Sequence, residues 1–199
     1  ASEIAVYGEA CELSYTIAER ALSNEVITPG ITTLEDVAWW IKEQQFKHNL
    51  ESSFGMPSVY LTGPRGVIAT STDKIIERGD VIMLDYGVGL MNMYTDMKRI
   101  AYVLREGETT IPEGIQNAFD KGVKVRDIIK QTIKPGFTAK ENETKVYAAL
   151  TKAGFNKMIG FNKFTEGDVN DVIIGCHSVS NWGHGVGHSI AFFNPVRLK

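Results

Sequence analysis

From Glu3 to about residue 24 the apolar positions recur near the helical period. Ile4, Tyr7, Ala10, Cys11, Leu13, Tyr15, Ala18, Ala21 and Leu22 form one broad stripe. Ser2 is placed to cap this predicted helix, and Pro29-Gly30 breaks the pattern after it. A second helix opens at Thr33-Leu34-Glu35-Asp36, where Thr33 caps and Asp36 stands where a capping box needs an acceptor. It runs through Val37, Trp40 and Ile41 to about His48. The rhythm then changes. Ser58 to Thr62 reads as a short strand closed by Gly63-Pro64, and residues 65–80 read as loop with a short turn. Val81 to Val88 and Met93 to Leu104 are strand-like runs rich in Val, Ile, Tyr and Met. Two more helices are predicted, from Pro112 to about Ile133 and from Thr138 to about Ala153, ended by Pro135-Gly136 and Gly154. Residues 157–199 are mixed, with a strand-like stretch from Val172 to Cys176 and a glycine- and histidine-rich segment at 183–188.

Helices and antiparallel strand pairs alternate without a βαβ rhythm, which predicts an α+β domain over residues 1–199 rather than a doubly wound sheet. With 199 residues the chain is long enough for one sizeable core. Its composition, 43% apolar and 23% charged, is that of an ordinary globular protein. A formal charge of −3 gives no basic surface for nucleic acid. No apolar run approaches the ~18 residues of a membrane span, and no signal peptide is visible. Cys11 and Cys176 sit in no C-x-x-C pair, and reduced thiols in a cytoplasmic protein are the expected state.

Two aspartates stand out against this background. Asp85 lies in Val81-Ile82-Met83-Leu84-Asp85-Tyr86-Gly87, and Asp96 in Met93-Tyr94-Thr95-Asp96-Met97. A carboxylate inside an apolar strand is costly unless something compensates it. A hairpin turn centred between Leu90 and Met91 sets Asp85 directly opposite Asp96, with Cβ atoms ~5 Å apart. Like charges facing each other call for a shared proton, an inserted cationic side chain or a bound multivalent cation. At this point two readings stand open: carboxylates for a divalent metal, or structural aspartates paired with Lys98 or Arg99.

The second candidate segment is Trp182-Gly183-His184-Gly185-Val186-Gly187-His188-Ser189-Ile190. On a strand, positions 184 and 188 share a face, and neutral imidazole is a common ligand for Mn, Fe, Co and Zn. The other reading is a glycine-rich surface loop. His48 and His177 have no partner motif.

The run GDVIMLDYGVGLMNMYTDMKRIAYVL, followed downstream by GHGVG at 183–187, resembles the metal-binding segments of the pita-bread metallopeptidases. These are the methionine aminopeptidase, prolidase and Xaa-Pro aminopeptidase group, with creatinase as a relative. The resemblance covers about residues 3–199. It implies an antiparallel sheet with flanking helices, and two divalent metal ions (Mn, Co, Fe or Zn) with Asp85, Asp96 and His184 among their ligands. It also implies a small-peptide substrate attacked at its N-terminal end, Xaa-Pro peptides included, and leaves room for a homodimer. His188 is a candidate substrate contact. Two glutamate ligands, one of them the proton shuttle, are expected beyond Lys199, so that the domain is C-terminally incomplete, the 199-residue fragment by itself inactive, and the group's N-terminal domain missing. Two departures run against ordinary peptidase activity. The stretch 63–71 holds no histidine where the group carries a substrate-facing one, and Ala191, Phe192 and Phe193 stand where a second is usual. A non-catalytic binding module on the same fold is therefore the alternative.

Overall fold

A computed structural model describes residues 2–52, 55–63, 66–69, 72–155 and 196–198. The elements in chain order are α1 (Ser2–Ala21), α2 (Leu34–Lys47), β1 (Glu51–Ser52), β2 (Ser58–Gly63), β3 (Gly66–Ala69), β4 (Val81–Tyr86), β5 (Val88–Leu90), β6 (Met93–Tyr94), β7 (Met97–Val103), α3 (Glu113–Thr132), α4 (Ala139–Lys152) and β8 (Val196–Leu198). The chain divides into two compact units. One comprises Ala1–Gly63, Val67–Ile111 and Asn194–Lys199, and the other Pro64–Gly66 and Pro112–Phe193.

The first unit is built on a five-stranded sheet in the order β3-β2-β4-β7-β8 and a small sheet β1-β5-β6. Strand β4 is central, antiparallel to β2 and β7, while β8 adds to β7 in parallel. The alternation along the strands decides what is core. Ile82, Leu84 and Tyr86 of β4, Ala101 and Val103 of β7 and Leu61 of β2 lie in one buried cluster with Ile17 and Leu22 from the α1 region and Val37 and Ile41 of α2. Each buried Val, Leu or Ile among them contributes about 1.5–3 kcal/mol when removed from water. The opposite parity, which holds Met83 and Asp85 on β4 and Lys98 on β7, is left for the other sheet face.

Among the described residues the predicted helices and strands are present, but the runs Val81–Val88 and Met93–Leu104 are each divided between two sheets, and β1 was not expected. Ser2, expected as a cap, is itself the first helical residue of α1. The start of the α1 stripe is not core: Ile4 and Tyr7 are exposed, whereas Ser14 and Ile17 are fully buried. Residues 66–69, read as loop, form strand β3 on the sheet edge, where β-branched Val67 and Ile68 suit extended backbone. The Thr33–Asp36 capping box is formed on both sides. The strand-like stretch at 172–176, Cys176 and the histidine segment lie outside the described residues.

In the second unit, α3 and α4 bury Val125, Ile129, Val146 and Leu150 against one another. Asn142 holds the connection by accepting from the Lys134 backbone N–H at 3.1 Å, and Thr138 caps α4 in a second box with Glu141.

Candidate metal centre

The β4–β7 hairpin places the two aspartates. Its register pairs Asp85 with Lys98 and Tyr86 with Met97, and beyond a short interruption Gly89 with Tyr94 and Leu90 with Met93. The turn is therefore the two-residue loop Met91-Asn92, with φ of 49° and 62°, the left-handed pair of a type I′ hairpin turn. This corrects the expected turn centre at Leu90 and Met91. Asp96 falls opposite Gly87, not opposite Asp85. The shift is by an even number of positions, so Asp85 and Asp96 keep the same face and become diagonal neighbours.

Thr95 lets the strand crease at this point. Its backbone N–H donates to Val88 O at 2.9 Å, while the Val88 N–H donates to the Thr95 hydroxyl at 3.0 Å. A side-chain oxygen thus takes the role a ladder carbonyl would play. Gly87 opposite Asp96 carries no side chain, and its carbonyl accepts from the Gln45 amide of α2 at 3.0 Å. The hairpin passes here from the large sheet to the small one.

Both carboxylates converge on one cation, the Lys98 ammonium. Lys98 Nζ lies 3.0 Å from Asp85 Oδ1 and 3.3 Å from Asp96 Oδ1. The lysine side chain is 8% exposed and those of Asp85 and Asp96 are 14% and 26% exposed. At this burial the charge balance matters: deleting one partner of a buried ion pair costs about 3–5 kcal/mol, because the remainder is left uncompensated. Arg99, the other basic candidate, points to the helix side. Its guanidinium stacks on the Tyr15 ring of α1 at 5.1 Å and donates to Lys98 O at 2.9 Å. Burial pulls Arg99 below its ordinary value, opposed by the nearby Tyr15, Tyr86 and Glu19. On α1, the Tyr7 hydroxyl is raised by burial, then by Cys11 beside it and by the charge of Asp96.

Two carboxylates aimed at one point are a donor set that suits a hard or borderline divalent ion, and the ammonium marks where a cation fits. Of the predicted ligands the structure brings Asp85 and Asp96 together. His184, the third, and His188, the candidate substrate contact, lie outside the described residues. Among the described residues no group of three or more His, Cys, Asp or Glu converges on one point. The part that sequence reasoning missed is the Ser14–Thr95 contact behind the site, at 2.7 Å. Its only signal was a polar residue interrupting the apolar stripe of α1.

Residues 5–196 match the family model of metallopeptidase family M24, and the chain belongs to that family. Solved structures share its fold. An X-Pro aminopeptidase from Thermotoga maritima MSB8 is 21% identical with a TM-score of 0.61, over 77% of this chain and 42% of that one. A prolidase from Pyrococcus horikoshii OT3 is 24% identical with a TM-score of 0.58, over 78% and 43%. An aminopeptidase P variant from Escherichia coli is 20% identical with a TM-score of 0.59, over 79% and 35%. The α+β pita-bread fold expected from the hairpin motif is the fold of this chain. The chain spans less than half the length of these three structures. Comparison with curated proteins gives no match. No described helix is long and apolar enough to cross a membrane.

Proposed function

We propose that residues 1–199 form part of the catalytic domain of a metal-dependent aminopeptidase-type hydrolase acting on the N-terminal end of small peptides, Xaa-Pro peptides among them. The observation that carries this reading is the convergence of Asp85 and Asp96 on a single cation position, within a family of metallopeptidases. The resemblance assigns His184 as a third ligand and His188 as a substrate contact, with two divalent ions (Mn, Co, Fe or Zn) as cofactor. Bound there, such ions supply Lewis acidity toward a scissile carbonyl and acidify a water toward neutrality. The chain's own contribution is placement. The hairpin register fixes the two carboxylates on one face as diagonal neighbours, and Thr95 holds the strand next to Asp96 through its bonds to Val88. The proton shuttle is assigned by resemblance to a glutamate of the whole protein. A cytoplasmic location and a homodimer belong to the same reading.

Metal content of the purified protein and of Asp85→Asn and Asp96→Asn tests it. Divalent metal in the wild-type protein, lost in both variants, together with cleavage of free but not N-blocked peptides, is the expected result. A metal content unchanged by either substitution contradicts it. A second reading, a non-catalytic binding module on this fold, is favoured by one observation: Lys98 already supplies the carboxylates with a cation. A wild-type protein free of metal would decide for it.

A further inference from the structure

We propose that Lys98 is a resident counter-cation that competes with metal for Asp85 and Asp96, so that this centre loads only where a divalent ion displaces the ammonium. The inference rests on the reading that these two carboxylates hold metal, and it adds how that site is regulated.

The backbone fixes the position of Lys98. It is the ladder partner of Asp85, and it lies two residues beyond Asp96, so all three side chains share a face. The ammonium therefore does not reach this point from a distant surface. Its side chain is 8% exposed, and its nitrogen stands within ion-pair distance of both carboxylates. A charged ammonium has three donors and no lone pair. It cannot join a metal's ligand set, and it occupies the same carboxylate oxygens a metal would use. Arg99 cannot take over the role, because its guanidinium is stacked on Tyr15 at the other sheet face.

Lysine is also suited to leaving. Its compact charge sits on a flexible four-carbon stem, whereas an arginine fork would lock both carboxylates bidentately. The equilibrium is then between a closed state, ammonium in, and an open state that accepts metal. If the ammonium occupies the site in about nine molecules of ten, apparent metal affinity falls about tenfold. The same ammonium offsets one of the two carboxylate charges without metal, so the fold depends less on metal for its charge balance.

The test is Mn2+ binding to the whole protein of which residues 1–199 are part, followed by the loss of the free-ion paramagnetic resonance signal, with thermal melts in chelator and in Mn2+. Lys98→Met removes the charge and keeps the stem. Lys98→Gln keeps length and polarity, and serves if the Met variant folds poorly. Both variants are expected to bind Mn2+ about tenfold more tightly than wild type. They are also expected to melt below it in chelator and to gain more from added Mn2+, with binding abolished by Asp96→Asn. Equal affinity in wild type and both variants, still abolished by Asp96→Asn, overturns the counter-cation and leaves the metal reading standing. Absence of any Asp96-dependent Mn2+ binding in all of them overturns the metal reading and this inference with it.

Discussion

At Gly89 a single hydrogen atom is all the space allows. Its ladder partners are Glu51 on β1 and Tyr94 on β6. A Cβ placed there would stand 2.5 Å from Tyr94 Cε1 and 3.0 Å from Glu51 Cβ. The Tyr94 hydroxyl donates to Glu51 Oε2 across the glycine, so the ring is pinned and cannot give way freely. That hydrogen bond raises the Tyr94 hydroxyl above its ordinary value. Gly89→Ala is expected to lose about 1–3 kcal/mol by overpacking, read as a lower urea midpoint. In a Tyr94→Ala background the same substitution should be far milder, and an equal loss in both backgrounds would refute the ring as the cause. Legibility at this scale was uneven. Asp85 and Asp96 were visible because a carboxylate in an apolar run needs an explanation. The choice between Lys98 and Arg99 was not, since it depends on which strand parity faces the core. The turn was misplaced because Asn92 signals a left-handed residue but Met91, at φ 49°, does not.

The helices were legible where their ends carry chemistry. Thr33 and Asp36 announce the start of α2, and the structure adds a box of the same kind, Thr138 with Glu141, at α4. At α2 the Thr33 N–H and hydroxyl both donate to Asp36 Oδ2 at 2.8 Å, and the Asp36 N–H donates back to the Thr33 hydroxyl at 3.1 Å. Thr33→Ala and Thr138→Ala should each cost about 1 kcal/mol, measured by chemical denaturation. The pH sign follows from the caps. The Thr33 backbone N–H, then its hydroxyl, hold Asp36 below its ordinary value, and Thr138 does the same for Glu141. A carboxyl lowered in the folded state stabilises fully above its unfolded value and loses that contribution as pH falls through the folded one. The gap between wild type and Thr33→Ala should therefore be constant near neutrality and shrink below about pH 4. A gap that widens in acid would contradict the capping assignment. Strand β3 went unread for the converse reason: its four residues are too short a run to show alternation.

Across the first unit, the N-terminal helix is tied to the hairpin by polar groups far apart in sequence. The Ser14 hydroxyl donates to Ala10 O at 2.7 Å, which leaves Thr95 as the donor in the 2.7 Å contact between the two hydroxyls. Thr95 in turn accepts the Val88 N–H, and the Tyr86 hydroxyl donates to Ser14 O. All of this is buried: Ser14, Tyr86, Val88 and Thr95 are at most 4% exposed. Such a network is legible only once the fold is known, because nothing local links residue 14 to residue 95. It also predicts an asymmetry. Ser14→Ala removes one acceptor of the Thr95 hydroxyl, whereas Thr95→Val strips the buried Val88 N–H of its partner, a loss of about 1–3 kcal/mol. Thr95→Val should be the more damaging of the two. A double-mutant cycle over the pair should give a coupling of at least about 0.5 kcal/mol. Because Thr95 sets the crease beside Asp96, Thr95→Val should weaken Mn2+ binding as well as stability, while Ser14→Ala should act mainly on stability. Additive losses with unchanged metal affinity would mean that the crease is set by the backbone alone and that the helix merely packs against it.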